Sequence, residues 1–163
     1  MSRNYYSEIH LHLVWHTKLS RPLLSPQIEQ LAYRALRHKI VEWPGAFVHE
    51  LGGTETHVHL AVTIAPTVPI SEFVGQLKGA SSHEVNQQAG RGAKVLEWQT
   101  GYGVVSFGTK DLAWVNEYVH NQKEHHATGR IHDRLERVTA EEVVPAHAAE
   151  VAQVAQAHQR EVP

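Results

Sequence analysis

Two segments of the chain alternate apolar residues with histidines and other polar residues, which is typical of half-buried β-strands. They are residues 8–17 and 57–64. Their apolar positions are Ile9, Leu11, Leu13 and Trp15 in the first segment and Val58, Leu60, Val62 and Ile64 in the second. Because successive side chains of a strand point to opposite faces, His57 and His59 are expected side by side on one face.

Apolar residues at helical spacing predict three helices. The first begins at Ser25-Pro26, a plausible N-cap followed by proline at the first helical position, and ends at Trp43-Pro44-Gly45. The second begins after Pro69, with its apolar residues on one side. The third runs from about Thr109 to His126. Each helix is therefore expected to bury one apolar stripe.

Two further strands complete the predicted sheet. Residues 46–51 form one strand and are joined by Gly52-Gly53 to residues 57–64, so these two strands should pair as a hairpin. Residues 101–107 form the last short strand. The order strand, helix, strand, strand, helix, strand predicts an α+β, ferredoxin-like βαββαβ fold with an antiparallel sheet, plus a C-terminal helix. Strands 8–17 and 57–64 would be neighbours in its centre.

The composition of the chain bounds its class. With 163 residues and 42% hydrophobic residues, it suits one compact domain with a core of its own. It has no apolar run of transmembrane length and no signal-peptide core near Met1, so we expect a soluble, cytoplasmic protein. The absence of cysteine excludes disulfides, thiolate metal sites and a cysteine nucleophile.

The charge of the chain is unevenly distributed. Residues 139–163 hold four glutamates and one arginine, a formal charge of −3, which leaves +1 for the rest of a chain of net charge −2. A nearly neutral domain neither demands nor forbids a nucleic-acid partner. We therefore expect one domain over residues 1–138 and an Ala/Glu-rich tail over 139–163, which is a marginal helix or disordered.

Pairs of histidines are the first candidate chemistry. Two neutral imidazoles one pleat apart, as in His57 and His59, can bind a divalent metal, although histidines on strands are also common as hydrogen-bonded polar residues. The same pattern occurs at His10-Leu11-His12. The pattern alone therefore does not identify the site.

Tyr118 and Gln122 are the second candidate pair. They are four residues apart on the third predicted helix and so share a face, with His125 on the following turn. A tyrosine can act as a nucleophile, and an amide oxygen can ligate a hard cation. The alternative interpretation is structural: Tyr118 packs on the sheet and Gln122 lies at the rim of the sheet.

Several segments together resemble one protein family. The matching segments, in order, are residues 12–18 with 21–24, residues 57–60 with Pro66, residues 70–82, residues 98–103, and residues 118–126. Over roughly residues 8–128, the chain is similar to the small HUH transposases of bacterial insertion sequences. These are single-strand tyrosine transposases, and they include the REP-associated kind.

The resemblance implies a ferredoxin-like homodimer that cuts and rejoins single-stranded DNA at hairpins near the ends of its element, through a covalent 5′-phosphotyrosine. His57 and His59 would hold Mg²⁺ or Mn²⁺, Gln122 would be the third ligand, and Tyr118 would be the nucleophile. The resemblance also implies that the tyrosine helix can serve the metal pair of the partner subunit. Residues 10–12 fall outside the family's metal motif and are interpreted as structural. Thr56 stands where the family commonly has an acidic or amide residue.

Binding of single-stranded DNA would combine contacts to the phosphates with stacking on an aromatic side chain. The candidate residues are Lys78, Ser81, Ser82, Arg91, Lys94 and Tyr102. Two other functions stay open on the sequence: a domesticated hairpin-binding protein that does not cleave, and a metal-dependent phosphodiesterase that uses water. Replacing Tyr118 by phenylalanine separates the three hypotheses.

Overall fold

A four-stranded antiparallel sheet with strand order β2-β3-β1-β4 forms the centre of the computed structural model, which describes residues 5–139. The strands are β1 (Ile9–His16), β2 (Ala46–Gly53), β3 (His57–Ile64) and β4 (Gly103–Phe107). The helices are α1 (Pro26–Glu42), α2 (Ile70–Ala89), α3 (Leu112–His120), α4 (Gln122–Thr128) and α5 (Asp133–Glu136). The order and pairing of β1 to β4 confirm the predicted ferredoxin-like fold.

The two histidine-bearing strands are central neighbours, as predicted. β1 pairs with β3 in an antiparallel register that places Val14 opposite His59 and His16 opposite His57. β2 pairs with the other edge of β3, so the predicted hairpin forms. Gly52 and Gly53, predicted as its turn, are instead the last two residues of β2, and residues 54–56 join the strands. The last strand begins at Gly103, two residues later than the predicted boundary.

One face of the sheet carries the main hydrophobic core. The apolar positions of β1 and β3 point to this face, where α1 and α2 cover them. Both helices bury residues at helical spacing, which is why the apolar periodicity located them. Those residues are Ala32, Ala35, Leu36 and Ile40 in α1, and Phe73, Val74, Leu77, Ser81 and Val85 in α2.

The opposite face of the sheet is covered by α3. Val115 and Val119 of this helix form a small apolar cluster with Ala61 of β3, against which Phe107 packs. The main chain of α3 comes so close to β2 that a Cβ atom on Gly52 would lie 2.0 Å from the carbonyl oxygen of Val119. A glycine at this position therefore brings α3 onto the face that carries His57 and His59.

The third predicted helix is corrected by the structure. Residues 109–126 do not form one helix: a 3-10 turn at Thr109–Asp111 leads into α3, and Asn121, with φ −97° and ψ 25°, separates α3 from α4. The backbone leaves helical geometry at Asn121 and resumes it at once. Tyr118 and Gln122 therefore lie on two consecutive helices.

The predictions for the tail lie outside the described part of the chain. The domain boundary at 138–139 and the marginal or disordered helix in the tail concern residues 140–163, which the structure does not describe. Within residues 5–139, no helix is both long and apolar enough to cross a bilayer.

Replacing Gly52 by alanine tests the close approach of α3. The added Cβ would meet the main chain of Val119, which cannot rotate away as a flexible side chain can, so we expect the free energy of unfolding to fall by roughly 1–3 kcal/mol. Urea denaturation of the variant and the wild type measures this change.

Gly75→Ala is the matched control for that substitution. A Cβ on Gly75, inside α2, has no atom within 4 Å, and alanine has the higher helix propensity, so this variant should be unchanged or stabilised by up to about 1 kcal/mol. Equal stability of Gly52→Ala and the wild type would contradict the packing described for α3.

Candidate active site

His57 and His59 lie side by side on the face of the sheet that α3 covers. Both side chains are buried, with ring centroids 4.9 Å apart. Among the described residues, neither Nε2 atom has a hydrogen-bond partner. Buried polar nitrogens without partners are costly, and two that converge on one point fit a site for a metal ion.

The other ring nitrogen of each histidine is held by a neighbour. His57 Nδ1 lies 3.0 Å from Thr54 Oγ1 and 2.9 Å from Thr56 Oγ1. His59 Nδ1 lies 2.8 Å from Nε2 of His12, which is buried in the adjacent strand. Such contacts to Nδ1 orient an imidazole so that Nε2 can bind a metal. Thr54 and Thr56 thus supply two hydroxyls at the Nδ1 side of His57.

Burial keeps these imidazoles in the form that can bind a metal. Burial, together with neighbouring histidines, lowers the pKa of His57 to about 3, and burial with the nearby His59 lowers the pKa of His12 to about 3. Burial likewise lowers the pKa of His59. All three rings are therefore neutral at pH 7, and a neutral imidazole has the lone pair that a metal needs.

Two further residues, which the sequence analysis did not select, complete a cluster with the histidine pair. Glu136 Oε2 lies 3.6 Å from His57 Nε2, 3.4 Å from His59 Nε2 and 3.5 Å from His126 Nε2. One ligand atom from each of these four residues lies within 4.8 Å of all the others. The cluster could therefore hold a metal ion. His126 had a signal, because it follows His125 at the end of the matching segment, whereas Glu136 had none.

Tyr118 is buried at the edge of this cluster in the same chain. Its hydroxyl donates a hydrogen bond to Glu136 Oε1 and accepts one of 3.0 Å from the backbone N–H of His132. Its ring stacks between Trp114 and His125, at centroid distances of 5.8 and 4.9 Å. Burial, and then the hydrogen bond to Glu136, raise the pKa of Tyr118 to about 12, so the hydroxyl is neutral at pH 7.

Gln122, the first residue of α4, is fully buried. Its Nε2 donates a hydrogen bond of 3.1 Å to the carbonyl oxygen of Tyr118. Its Oε1 is buried and lacks a hydrogen-bond partner in the described part of the chain. An amide oxygen in this state is available to a hard cation, and the role of Gln122 as a metal ligand stays a prediction.

The residues selected for DNA binding separate into two groups. Lys78, Ser82 and Lys94 line one groove, together with Lys18 and Trp98. Within it, Lys78 Nζ donates hydrogen bonds of 2.5 and 2.8 Å to the carbonyl oxygens of Gln99 and Gly101, which lead into β4. The groove therefore brings three lysines to one surface.

The other three candidates do not line this groove. Ser81 is fully buried, and its Oγ accepts a hydrogen bond of 3.0 Å from Nε1 of Trp98, so it has no exposed atom for a ligand. Arg91 is exposed, with a positive φ of 45°, in the loop after α2. Tyr102 is half-buried and packs against the main core.

The sequence comparisons with known proteins all find transposases. The family model described as "Transposase IS200 like" matches residues 5–122. The transposases for insertion sequence IS200 of Salmonella typhimurium LT2 and Salmonella typhi are each 28% identical to this chain over 122 residues. That match covers 72% of this chain and 79% of each relative.

Two solved structures are similar in fold. A protein of Deinococcus radiodurans R1 described as a transposase has a TM-score of 0.59 and 25% identity, over 75% of this chain and 96% of its own. A REP-associated tyrosine transposase bound to a REP hairpin has a TM-score of 0.55 and 18% identity, over 80% of this chain and 75% of its own. At 18% identity, the similarity to the second structure is evidence of a shared fold alone.

The neutral buried histidines predict a loss of stability in mild acid. His12 and His57 take up a proton near pH 6.5 when unfolded and only near pH 3 when folded, so the unfolded state binds more protons between these values. Stability is therefore full above pH 6.5 and falls as the pH drops below it. For the metal-free protein we expect a decrease of about 2 kcal/mol for each histidine between pH 7 and pH 5, measured by urea denaturation.

Two variants check the origin of this pH dependence. His12→Gln should remove the contribution of that histidine and flatten the pH profile. His38→Gln, at an exposed position on α1, should leave the profile unchanged. Wild-type stability that is the same at pH 7 and pH 5 would contradict the neutral state of the buried rings.

Proposed function

The chain belongs to the IS200-like transposase family, and from this premise we propose that it cuts and rejoins single-stranded DNA through a covalent bond to Tyr118. The observation that carries the proposal is a chain of contacts within one subunit. The hydroxyl of Tyr118 is hydrogen-bonded to Glu136, and the same carboxylate faces the convergent Nε2 atoms of His57 and His59. A nucleophile and a candidate metal site are thus adjacent.

We propose that His57, His59 and Gln122 hold a divalent cation, Mg²⁺ or Mn²⁺. Their available atoms are two buried imidazole nitrogens and one buried amide oxygen, each without a hydrogen-bond partner in the described residues. When bound there, the cation would neutralise the charge of a scissile phosphate. Thr54, Thr56 and His12 would keep the two imidazoles in the ligand orientation.

In the proposed reaction, the Tyr118 oxygen attacks the phosphorus of the scissile phosphodiester. The bond from phosphorus to the 3′ oxygen breaks, and the 5′ phosphate stays on the tyrosine. The 3′ oxygen leaves as an alkoxide, which takes a proton from solvent and becomes the 3′-hydroxyl. The tyrosine proton passes towards Glu136, which already accepts its hydrogen bond. Rejoining is the reverse attack by a 3′-hydroxyl, and it needs no nucleotide cofactor because the phosphotyrosine keeps the energy of the broken bond.

The DNA partner is proposed to be single-stranded with hairpin ends. One supporting observation is the groove lined by Lys18, Lys78 and Lys94, because lysines along a groove follow a phosphate backbone. Another is the similar fold of the REP-associated transposase, which is bound to a REP hairpin. Arg91 and Tyr102 stay candidates for additional contacts outside this groove.

Two features of the active protein stay predictions: the number of its subunits, and whether Tyr118 acts at the metal site of its own subunit or of its partner. The family resemblance implies a homodimer in which the tyrosine helix can serve the partner subunit. In this structure Tyr118 lies beside the histidine pair of its own chain, with a centroid distance of 6.1 Å to the His59 ring. We therefore propose that cleavage occurs in cis.

Formation of a protein–DNA adduct tests the proposed reaction. Labelled single-stranded oligonucleotides from the DNA that flanks the gene are incubated with the protein and Mn²⁺ and separated on a denaturing gel. We expect an adduct with the wild type and none with Tyr118→Phe, which lacks the nucleophilic oxygen. His57→Ala should reduce the adduct by at least about a hundredfold, because the phosphate charge is no longer neutralised.

Tyr33→Phe is the control for that experiment. Tyr33 lies on α1, across the sheet from the candidate site, so its variant should form the adduct at the wild-type rate. Cleavage without an adduct that persists in Tyr118→Phe would instead indicate a phosphodiesterase that uses water. A shifted hairpin on a native gel, with neither cleavage nor adduct, would indicate a domesticated binding protein.

Replacing Lys94 by glutamine tests the groove. One lost phosphate contact should weaken binding of single-stranded DNA and reduce the slope of log affinity against log salt by about 1. Fluorescence anisotropy of a labelled oligonucleotide at several salt concentrations measures both quantities. Lys110→Gln, at an exposed lysine beyond β4 that is not part of the groove, should keep the wild-type slope. Equal slopes for both variants would exclude the groove as the path of the backbone.

A further inference from the structure

Glu136 and His126 extend the proposed metal site beyond the histidine pair. We propose that the side chains of these two residues are direct metal ligands in the DNA-free protein. Three imidazoles and one carboxylate then surround the ion, and Gln122, the third ligand proposed for the reacting complex, is not bound to it. The inference rests on the proposed function for the ion itself. It assigns two ligands that neither the family resemblance nor the motif around His57 and His59 implies.

The distances within the cluster carry the inference. Glu136 Oε2 is 3.4 to 3.6 Å from the Nε2 atoms of His57, His59 and His126. A charge-assisted hydrogen bond would be shorter, at about 2.7–2.9 Å. Two ligand atoms that share one four-coordinate ion, with bonds of about 2.0–2.1 Å, are about 3.4 Å apart. The three separations from Glu136 lie close to this edge length, and the ligand atoms of all four residues lie within 4.8 Å of one another.

The surroundings of Glu136 favour a cation. The side chain is only 15% exposed, and every ion-pair partner that it has within residues 5–139 is a histidine. A largely buried carboxylate is costly unless it is paired or binds a metal ion. The Oε2 atom of Glu136 faces three imidazole nitrogens, which are common metal ligands themselves.

The segment that carries Glu136 is fixed to the sheet by several contacts. Gly129, with φ +68°, ends α4 and allows the chain to turn back. Leu135 is buried, and the guanidinium of Arg134 donates a hydrogen bond of 3.1 Å to the carbonyl oxygen of Ser106 in β4. The main chain of Arg137 lies directly against β4: a Cβ atom on Gly103 would lie 1.9 Å from the carbonyl oxygen of Arg137. The carboxylate therefore has a defined position in the fold.

The proposed ligand set favours one class of metal ion. Imidazole nitrogens suit first-row transition ions and Zn²⁺, whereas Mg²⁺ prefers oxygen ligands in octahedral geometry. A site with three imidazoles and one carboxylate should therefore prefer Zn²⁺, Co²⁺ or Mn²⁺ to Mg²⁺. The other carboxylate oxygen, Oε1, accepts the hydrogen bond of Tyr118. Glu136 is thus also a positioning residue, which holds the nucleophile at a fixed distance from the ion.

Metal binding without DNA tests the inference, with Zn²⁺, Co²⁺ or Mg²⁺ alone as the probe. Calorimetry on the metal-free full chain should show tight binding of Zn²⁺ and much weaker binding of Mg²⁺. E136Q and H126A should each weaken Zn²⁺ binding about tenfold or more, while E124Q and H120A, at exposed positions nearby, should not change it. The visible absorption of bound Co²⁺, which depends on its coordination number and ligands, should change in E136Q and H126A and stay unchanged in E124Q and H120A.

Circular dichroism of each variant verifies that the chain is folded. H57A serves as a reference, because His57 is a ligand both in the proposed function and in the four-ligand site. Loss of Zn²⁺ binding in E136Q and H126A as well as in H57A supports the four-ligand site. Wild-type binding and Co²⁺ spectra in E136Q and H126A, together with loss in H57A, overturn the inference and leave the proposed function standing. The adduct assay with Tyr118→Phe reports independently on the proposed function.

Discussion

The register between β1 and β3 is the constraint on which the site depends. Side chains alternate between the faces of a strand. A shift of β3 by one residue in its pairing would therefore point His57 and His59 towards the apolar core under α1 and α2. The paired register instead directs them to the opposite face and brings His12 within a hydrogen bond of His59. The same pairing buries the apolar positions of both strands, so the hydrophobic effect that forms the core also orients the imidazoles.

The spacing of apolar residues, with a period of 2 in strands and 3.6 in helices, is a local property of the sequence. This spacing was enough to locate the strands, the hairpin and both core helices. It also assigned Val58 and His57 to opposite faces, because successive side chains of a strand point to opposite sides of the sheet. Three features depend on contacts between distant segments and had no such signal: the break at Asn121, the burial of Ser81 under the Trp98 indole, and the return of Glu136 to the site. Tyr118 and Gln122 were selected because several motifs occurred together in order.

The two faces of the sheet are stabilised in different ways. Apolar side chains dominate the face under α1 and α2, where Nε1 of Trp15 and the hydroxyl of Tyr33 are the buried polar atoms without a hydrogen-bond partner in the described residues. The face under α3 buries imidazole and amide atoms that lack hydrogen bonds, and each such atom costs about 1–3 kcal/mol. An ion that binds these atoms in the folded state alone adds its binding free energy to the stability of the fold. The chemistry and the stability of this face are therefore linked.

The two threonines beside His57 affect how strongly its imidazole donates electrons. A carboxylate acceptor at Nδ1–H would draw the proton towards itself and make Nε2 more basic. The hydroxyl oxygens of Thr54 and Thr56 carry no net charge, so the ring orientation is kept while the imidazole stays a weaker base. An ion held by this ring would keep more of its own positive charge. With an ion bound there, the hydroxyl pair would therefore give the site a stronger electrostatic attraction for an anion than a carboxylate in the same place would.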